Sequence, residues 1–200
     1  MLLDSVRITA PDLDYAVRAY ARLLGLSPAT PSSGVHRFQL GRGAIELAAG
    51  AGGIESLAFL VPDGMRAPDV ALDVAVRIAT GTPPPHDDTA SVAIDHVVVH
   101  TAAAARAVAT WRDAVGLRLA LDREFPARGL RLLFFRSNGI TLEYATPLPP
   151  PAGDATPDRF WGVSYRVSDL AARRQRLLDA GVDVSEVRTG MKPGTTVATA

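Results

Sequence analysis

Short runs rich in β-branched residues alternate along this chain with segments whose apolar residues recur every third or fourth position. The first pattern favours strands, the second helices with one buried face. Leu13, Val17, Tyr20 and Leu24 make one apolar stripe, and Ala104, Val108, Trp111 and Val115 make another. The two stripes belong to a repeat. Residues 4–26, from Asp4-Ser5-Val6-Arg7-Ile8 to Leu23-Leu24-Gly25-Leu26, align at a constant offset and without a gap on residues 95–117, from Asp95-His96-Val97-Val98-Val99 to Ala114-Val115-Gly116-Leu117. Thr101 stands where a helix N-cap belongs, and Gly25 and Gly116 where a left-handed residue ends such helices. Strands follow in both copies: Val35 to Leu40, a Gly41-Arg42-Gly43 turn and Ala44 to Ala48 in the first, Leu130 to Arg136, a Ser137-Asn138-Gly139 turn and Ile140 to Ala145 in the second. Asn-Gly between alternating runs is a strong hairpin signal. Both copies therefore read β-α-β-β-β.

Two weaker echoes follow the same order. Trp161 to Val167 reads as a strand, after which Ser168 caps a helix carrying Leu170, Leu177 and Leu178 and ending at Ala180-Gly181, with little chain left for closing strands. Ile54 to Val61 reads as another strand, followed by a helix over Val70–Ile78 and a linker at Gly81-Thr82-Pro83-Pro84-Pro85. A second proline-rich loop, Pro147 to Pro157, precedes the third copy. The expected organisation is a first region, 1–90, holding a full module at 4–49 and a short degenerate copy at 54–81, and a second region, 91–200, holding a full module at 94–146 and a partial one at 160–200.

Composition narrows the chemistry. Two hundred residues, 48% hydrophobic and 21% charged, suffice for a substantial core. Basic and acidic residues balance at 21 each, so no strong positive field draws nucleic acid or an anionic membrane, and a small weakly charged ligand fits better. Cysteine is absent, which excludes disulfides, thiolate metal sites and a cysteine nucleophile. The N-terminus shows no basic leader with an apolar run, and no long apolar span follows, so a cytoplasmic protein is expected. The exposed strand edges of a truncated module predict a homodimer.

The repeat, with Asp95-His96-Val97-Val98-Val99, Trp111-Arg112-Asp113-Ala114-Val115-Gly116-Leu117 and Ile140-Thr141-Leu142-Glu143, resembles the vicinal oxygen chelate superfamily, which includes glyoxalase I, extradiol dioxygenases and bleomycin resistance proteins. The resemblance implies an α+β fold of tandem βαβββ modules whose curled mixed sheets surround a cup. It also implies metal ligands on the first and last strands of the modules. The first-strand position carries His96, Ser5, Gly162 and Ser56 in the four copies, and the last-strand position carries Glu143 and Glu46. If the first full copy pairs with the second, His96, Glu143 and Glu46 converge on one divalent ion, Fe, Mn, Zn or Ni, with Glu143 as catalytic carboxylate. If the second pairs with the third, only His96 and Glu143 remain.

Arg123 and Arg128, in the segment between the second and third strands of that copy, offer paired donors to a ligand carboxylate or phosphate, or else pair with Asp122 or Glu124. Phe125, Phe135 and Trp161 belong to an aromatic group able to line a pocket or to fill the core. Three functions stay open on the sequence: a metal-dependent lyase, isomerase or dioxygenase, a metal-free cup that sequesters a small molecule, and an interaction or regulatory scaffold.

Overall fold

The computed structural model describes residues 1–29, 31, 33–72, 74–151 and 156–200. Among these residues twelve strands and three α-helices follow in the order β1 (Leu2–Ala10), α1 (Leu13–Leu24), β2 (His36–Gln39), β3 (Ala44–Ala49), β4 (Gly53–Val61), β5 (Val76–Thr80), β6 (Val92–His100), α2 (Ala104–Val108), β7 (Arg118–Phe125), β8 (Leu130–Ser137), β9 (Ile140–Pro147), β10 (Arg159–Val167), α3 (Leu170–Asp179), β11 (Arg188–Thr189) and β12 (Thr196–Val197). The longer strands form two five-stranded mixed sheets, ordered β2-β3-β1-β4-β5 and β10-β6-β9-β8-β7, neither of which closes into a barrel. Helices are few, and the α+β architecture that the resemblance implies is present.

The sheets answer which copies pair. In the first sheet β1 runs parallel to β3 and antiparallel to β4, so the first full copy is joined to the short one. In the second sheet β6 runs parallel to β9 and antiparallel to β10, joining the second full copy to the partial one. The two sheets are therefore variations on one plan, with a difference at one edge: β5 flanks β4, whereas no strand flanks β10 on its outer side among the described residues.

Several local expectations change. Among the described residues the first copy has one strand fewer than expected, since Pro28 and Pro31 after α1 have fixed φ angles and lack N–H donors for a ladder. The helix expected over Val70–Ile78 is absent among the described residues: Val76–Thr80 pairs parallel with Leu57–Val61, and Asp73 lies outside the described residues. Its β-branched Val76, Ile78 and Thr80 suit a pleated surface. The N-cap of α2 is Ala103, with Thr101 Oγ1 accepting from the Ala103 N–H at 3.0 Å. α3 is capped by Asp169, whose carboxylate accepts from Ala172 N, and not by Ser168. α2 continues into a π-helical turn over Ala109–Ala114, which turns both Thr110 and Trp111 inward. The proline-rich loop at 147–157 lies partly outside the described residues, at 152–155.

The core runs through both sheets as one cluster. It takes Val6, Ile8, Ile45 and Phe59 from the first and Val97, Val99, Leu142 and Tyr144 from the second. Phe59 stacks on Trp111 with ring centroids 5.7 Å apart, and Trp111 Nε1 donates to the Tyr144 hydroxyl at 2.7 Å. The hairpin turns also cross over. Gly41 N donates to Val92 O and Ile94 N to Arg42 O, while the Ser137 hydroxyl accepts from Leu3 N and Asn138 Nδ2 donates to Leu3 O. Each sheet thus clasps the first strand of the other. No helix among the described residues is long and apolar enough to cross a membrane.

Candidate functional site

Alternation along each strand of the second sheet sends one set of side chains into the core and the other to an open face. Val97, Val99, Leu133, Phe135, Leu142 and Tyr144 are buried on the core side. His96, Val98 and His100 alternate with them on β6, and the register sets His96 against Thr141 and Val98 against Glu143. Across β8 and β7, Phe134 lies opposite Glu143, and Arg123 opposite Leu132, so these share the open face.

A β-bulge recurs just before the family's first-strand position in all four copies. The pairing skips Asp4 before Ser5, Glu55 before Ser56, Asp95 before His96 and Trp161 before Gly162. Bulges kink a strand and re-aim the side chains beside them. In β6 this lets Asp95 reach its own neighbour, with Asp95 Oδ2 2.8 Å from His96 Nδ1. On the other side of the ring, His96 Nε2 is 3.7 Å from Glu143 Oε2. The imidazole thus stands between two carboxylates in different surroundings. Burial pushes the Glu143 carboxyl above its ordinary value, against the pull of His96. The hydrogen bond from His96 holds Asp95 below its ordinary value, outweighing burial, with Arg136 and Lys192 acting the same way. In β10 the bulge exposes Trp161, 66% accessible, and its ring stacks on His100 at 5.7 Å. Burial lowers the His100 pKa, helped by the charge of Arg159.

The remaining residues expected at the site divide. Arg123 lies over the Phe125 ring, 5.2 Å from its centroid, while Asp122 pairs with Arg131 instead of Arg123. Arg128 is exposed in a short 3-10 turn over Pro126–Arg128. Phe135 does not line the face: it is fully buried, edge-on to Tyr144 at 5.8 Å, because its strand position points to the core. Phe134, one residue earlier, takes the open side.

Glu46 does not join His96 and Glu143. It belongs to the first sheet, where Arg7, Arg37 and Arg77 converge on it at 3.0, 2.9 and 2.7 Å. Burial would raise its carboxyl, but Arg77, Arg7 and Arg37 together hold it below its ordinary value. Ser5 Oγ donates to Glu46 at 3.2 Å and Arg77 Nε donates to Ser56 Oγ at 3.1 Å. Arg77 lies opposite Ala58 as Glu143 lies opposite Val98 and Glu46 opposite Arg7, so Arg77 fills the last-strand position of the short copy. The four positions of this sheet at which the resemblance implies metal ligands, Ser5, Glu46, Ser56 and Arg77, are here joined through a guanidinium. That equivalence escapes the sequence because the expected helix conceals the strand.

A divalent ion fits the second sheet poorly as well. His96 and Glu143 are two donors, Gly162 offers none, and no group of three or more His, Asp or Glu suited to a metal occurs among the described residues. A cavity of about 330 Å³ lies elsewhere, between the proline linker and the first hairpin, lined by Leu26, Leu40, Pro84, Pro85, Asp87 and Val92.

A strand-helix-hairpin unit repeated in two five-stranded mixed sheets gives a glyoxalase-like fold. The chain belongs to the Glyoxalase/Bleomycin resistance protein/Dioxygenase superfamily, whose profile matches residues 95–199, more than half its length. Among solved structures it is similar to BphC, a halotolerant catechol dioxygenase, at 12% identity over 94% of this chain and 78% of that one, with a TM-score of 0.67. It is also similar to 2,2',3-trihydroxybiphenyl 1,2-dioxygenase from Sphingomonas wittichii, at 15% identity over 92% and 80%, TM-score 0.65. A third is the Mn(II)-bound glyoxalase from Novosphingobium aromaticivorans, at 16% identity over 92% and 72%, TM-score 0.64. At these identities the likeness is one of fold. No protein of curated function matches the sequence.

Proposed function

We propose that the protein binds a small, partly aromatic molecule on the open face of the second sheet and exchanges a proton with it through Glu143 and His96. The observation that carries this reading is the line Asp95, His96, Glu143, with 2.8 Å on one side of the ring and 3.7 Å on the other. Burial makes the Glu143 carboxylate the stronger base of the two, while Asp95, held ionised by its hydrogen bond, orients the imidazole between them. Glu143, ionised, takes a proton from a carbon beside a carbonyl and returns it to the same molecule. With its Nδ1–H on Asp95, His96 in its imidazolium form donates its Nε2–H to the carbonyl oxygen as charge builds there. The step leaves no redox imbalance. Phe134 and the Trp161–His100 stack offer apolar surface to an aromatic group, and Arg123, exposed on the same face, supplies a cation for a ligand carboxylate.

The metal-dependent lyase or dioxygenase has less support in this chain, since Glu46 is committed to three arginines and Gly162 stands at a ligand position. Sequestration without turnover differs from the proposal only in the proton step, so one experiment separates all three. The purified protein is incubated in deuterated water with small aromatic 2-oxo acids, with and without chelator. The proposal expects deuterium to enter beside the carbonyl despite chelation, with a loss of about 100-fold or more in Glu143→Gln. Saturable binding without exchange indicates sequestration. Metal retained on purification and lost in His96→Ala, with activity abolished by chelation, overturns the proposal in favour of the metal enzyme.

A further inference from the structure

The open face of the first sheet gathers charge from most of its strands. Arg37, Glu46, Arg7 and Ser56 stand opposite one another in a single row across β2, β3, β1 and β4, and Arg77 reaches in from β5. Glu46 is already saturated. Its Oε1 accepts from Ser5 Oγ at 3.2 Å and Arg37 Nη1 at 2.9 Å, and its Oε2 accepts from Arg7 Nε at 3.1 Å, Arg7 Nη2 at 3.0 Å and Arg77 Nη2 at 2.7 Å. A carboxylate offers about four lone-pair sites, so it takes no more. Asp4 takes the other end of Arg37, at 3.0 Å. Three guanidinium charges are therefore balanced by two carboxylates.

One bidentate arginine neutralises a carboxylate; three on the same one leave a local positive excess and mutual repulsion that a second anion would relieve. Donors remain for it. Among the described residues, Nη1 of Arg7 and Nη1 of Arg77 donate to no acceptor, and the Arg7, Arg37 and Arg77 side chains keep 24%, 30% and 35% of their surface. We propose that this face is a second ligand site, binding the oxyanion group of a small molecule, a carboxylate or phosphate, between Arg7 and Arg77. It lies on the other sheet from His96 and Glu143 and stands or falls independently of their proton chemistry.

The test follows the arginine Nε–Hε signals of nitrogen-15-labelled protein during titration with inorganic phosphate, with acetate and, as control, with chloride. The expected result is saturable displacement of the Arg7 and Arg77 signals by phosphate, acetate or both, but not by chloride. Response to one probe only assigns the ligand group as phosphoryl or carboxylate. Binding should weaken about tenfold in Arg77→Gln, the loss expected from one charge-assisted contact. Because Arg77→Gln also strips a partner from Glu46, Arg77→Lys is measured beside it: it keeps the cation, loses the planar fork, and should weaken binding while lowering Tm less than Arg77→Gln does. No saturable displacement, equal displacement by chloride, or undiminished binding in both variants overturns the proposal.

Discussion

Single side chains show how this chain uses burial. The Trp111 indole and the Tyr144 hydroxyl meet at 2.7 Å in a fully buried place, so removing the acceptor strands a donor away from water. Tyr144→Phe should lower unfolding stability by about 1–3 kcal/mol, read by chemical denaturation. Glu46 makes a different prediction. Its carboxyl is held below its ordinary value of 4.5 by its arginines, so the folded state binds fewer protons than the unfolded one as the pH drops. The stability it contributes is complete above 4.5 and is lost as pH falls through its lower folded value. Wild type should therefore exceed Glu46→Gln in Tm at neutral pH, with the gap narrowing below 4.5; a gap independent of pH would contradict the assignment. Glu143 was readable in the sequence as a carboxylate on an apolar strand that needs compensation. Asp95 was visible only as a repeat position, because the bulge that turns it onto His96 leaves no compositional mark.

Elements join through a few committed contacts. Gly25 ends α1 with φ +64°, and the Arg173 guanidinium of α3 rests against it and donates to Leu23 O at 3.1 Å. A Cβ at Gly25 would stand 2.6 Å from Arg173 Nη1. Gly25→Ala should cost about 1–2 kcal/mol from the left-handed backbone alone, with more from displacing Arg173. A loss below that range, measured by denaturation, would show that α1 can end differently. This helix end was legible from its glycine, as was the Asn138-Gly139 turn, where both residues take positive φ. The short copy was not legible. Val70 to Ile78 has helix-compatible spacing, yet pairing with β4 decides its form, and that partner lies outside any local window. The same miss hid Arg77, and with it the reason Glu46 is unavailable to the second sheet.

Across the entire chain, duplication is the feature the sequence displayed best, since the repeat matches without a gap. Which copies share a sheet could not be read from it, because pairing depends on strand edges and crossings rather than on periodicity. The answer separates Glu46 from Glu143 and gives each sheet its own open face. The continuous core and the clasp of each hairpin on the other sheet's first strand make the two sheets one unfolding unit. Tryptophan fluorescence and far-ultraviolet circular dichroism should report a single coincident transition; two separated transitions would mean the sheets are independent.

The same strand position has thus been turned to opposite uses, a carboxylate clamped by three arginines in one sheet and a perturbed acid in the other. A carbon-13 titration of the glutamate carboxyl signals in the folded protein reads both at once. Glu143 should titrate above 4.5 and Glu46 below it. A common value for the two, or the reverse order, would contradict this division of the sheets.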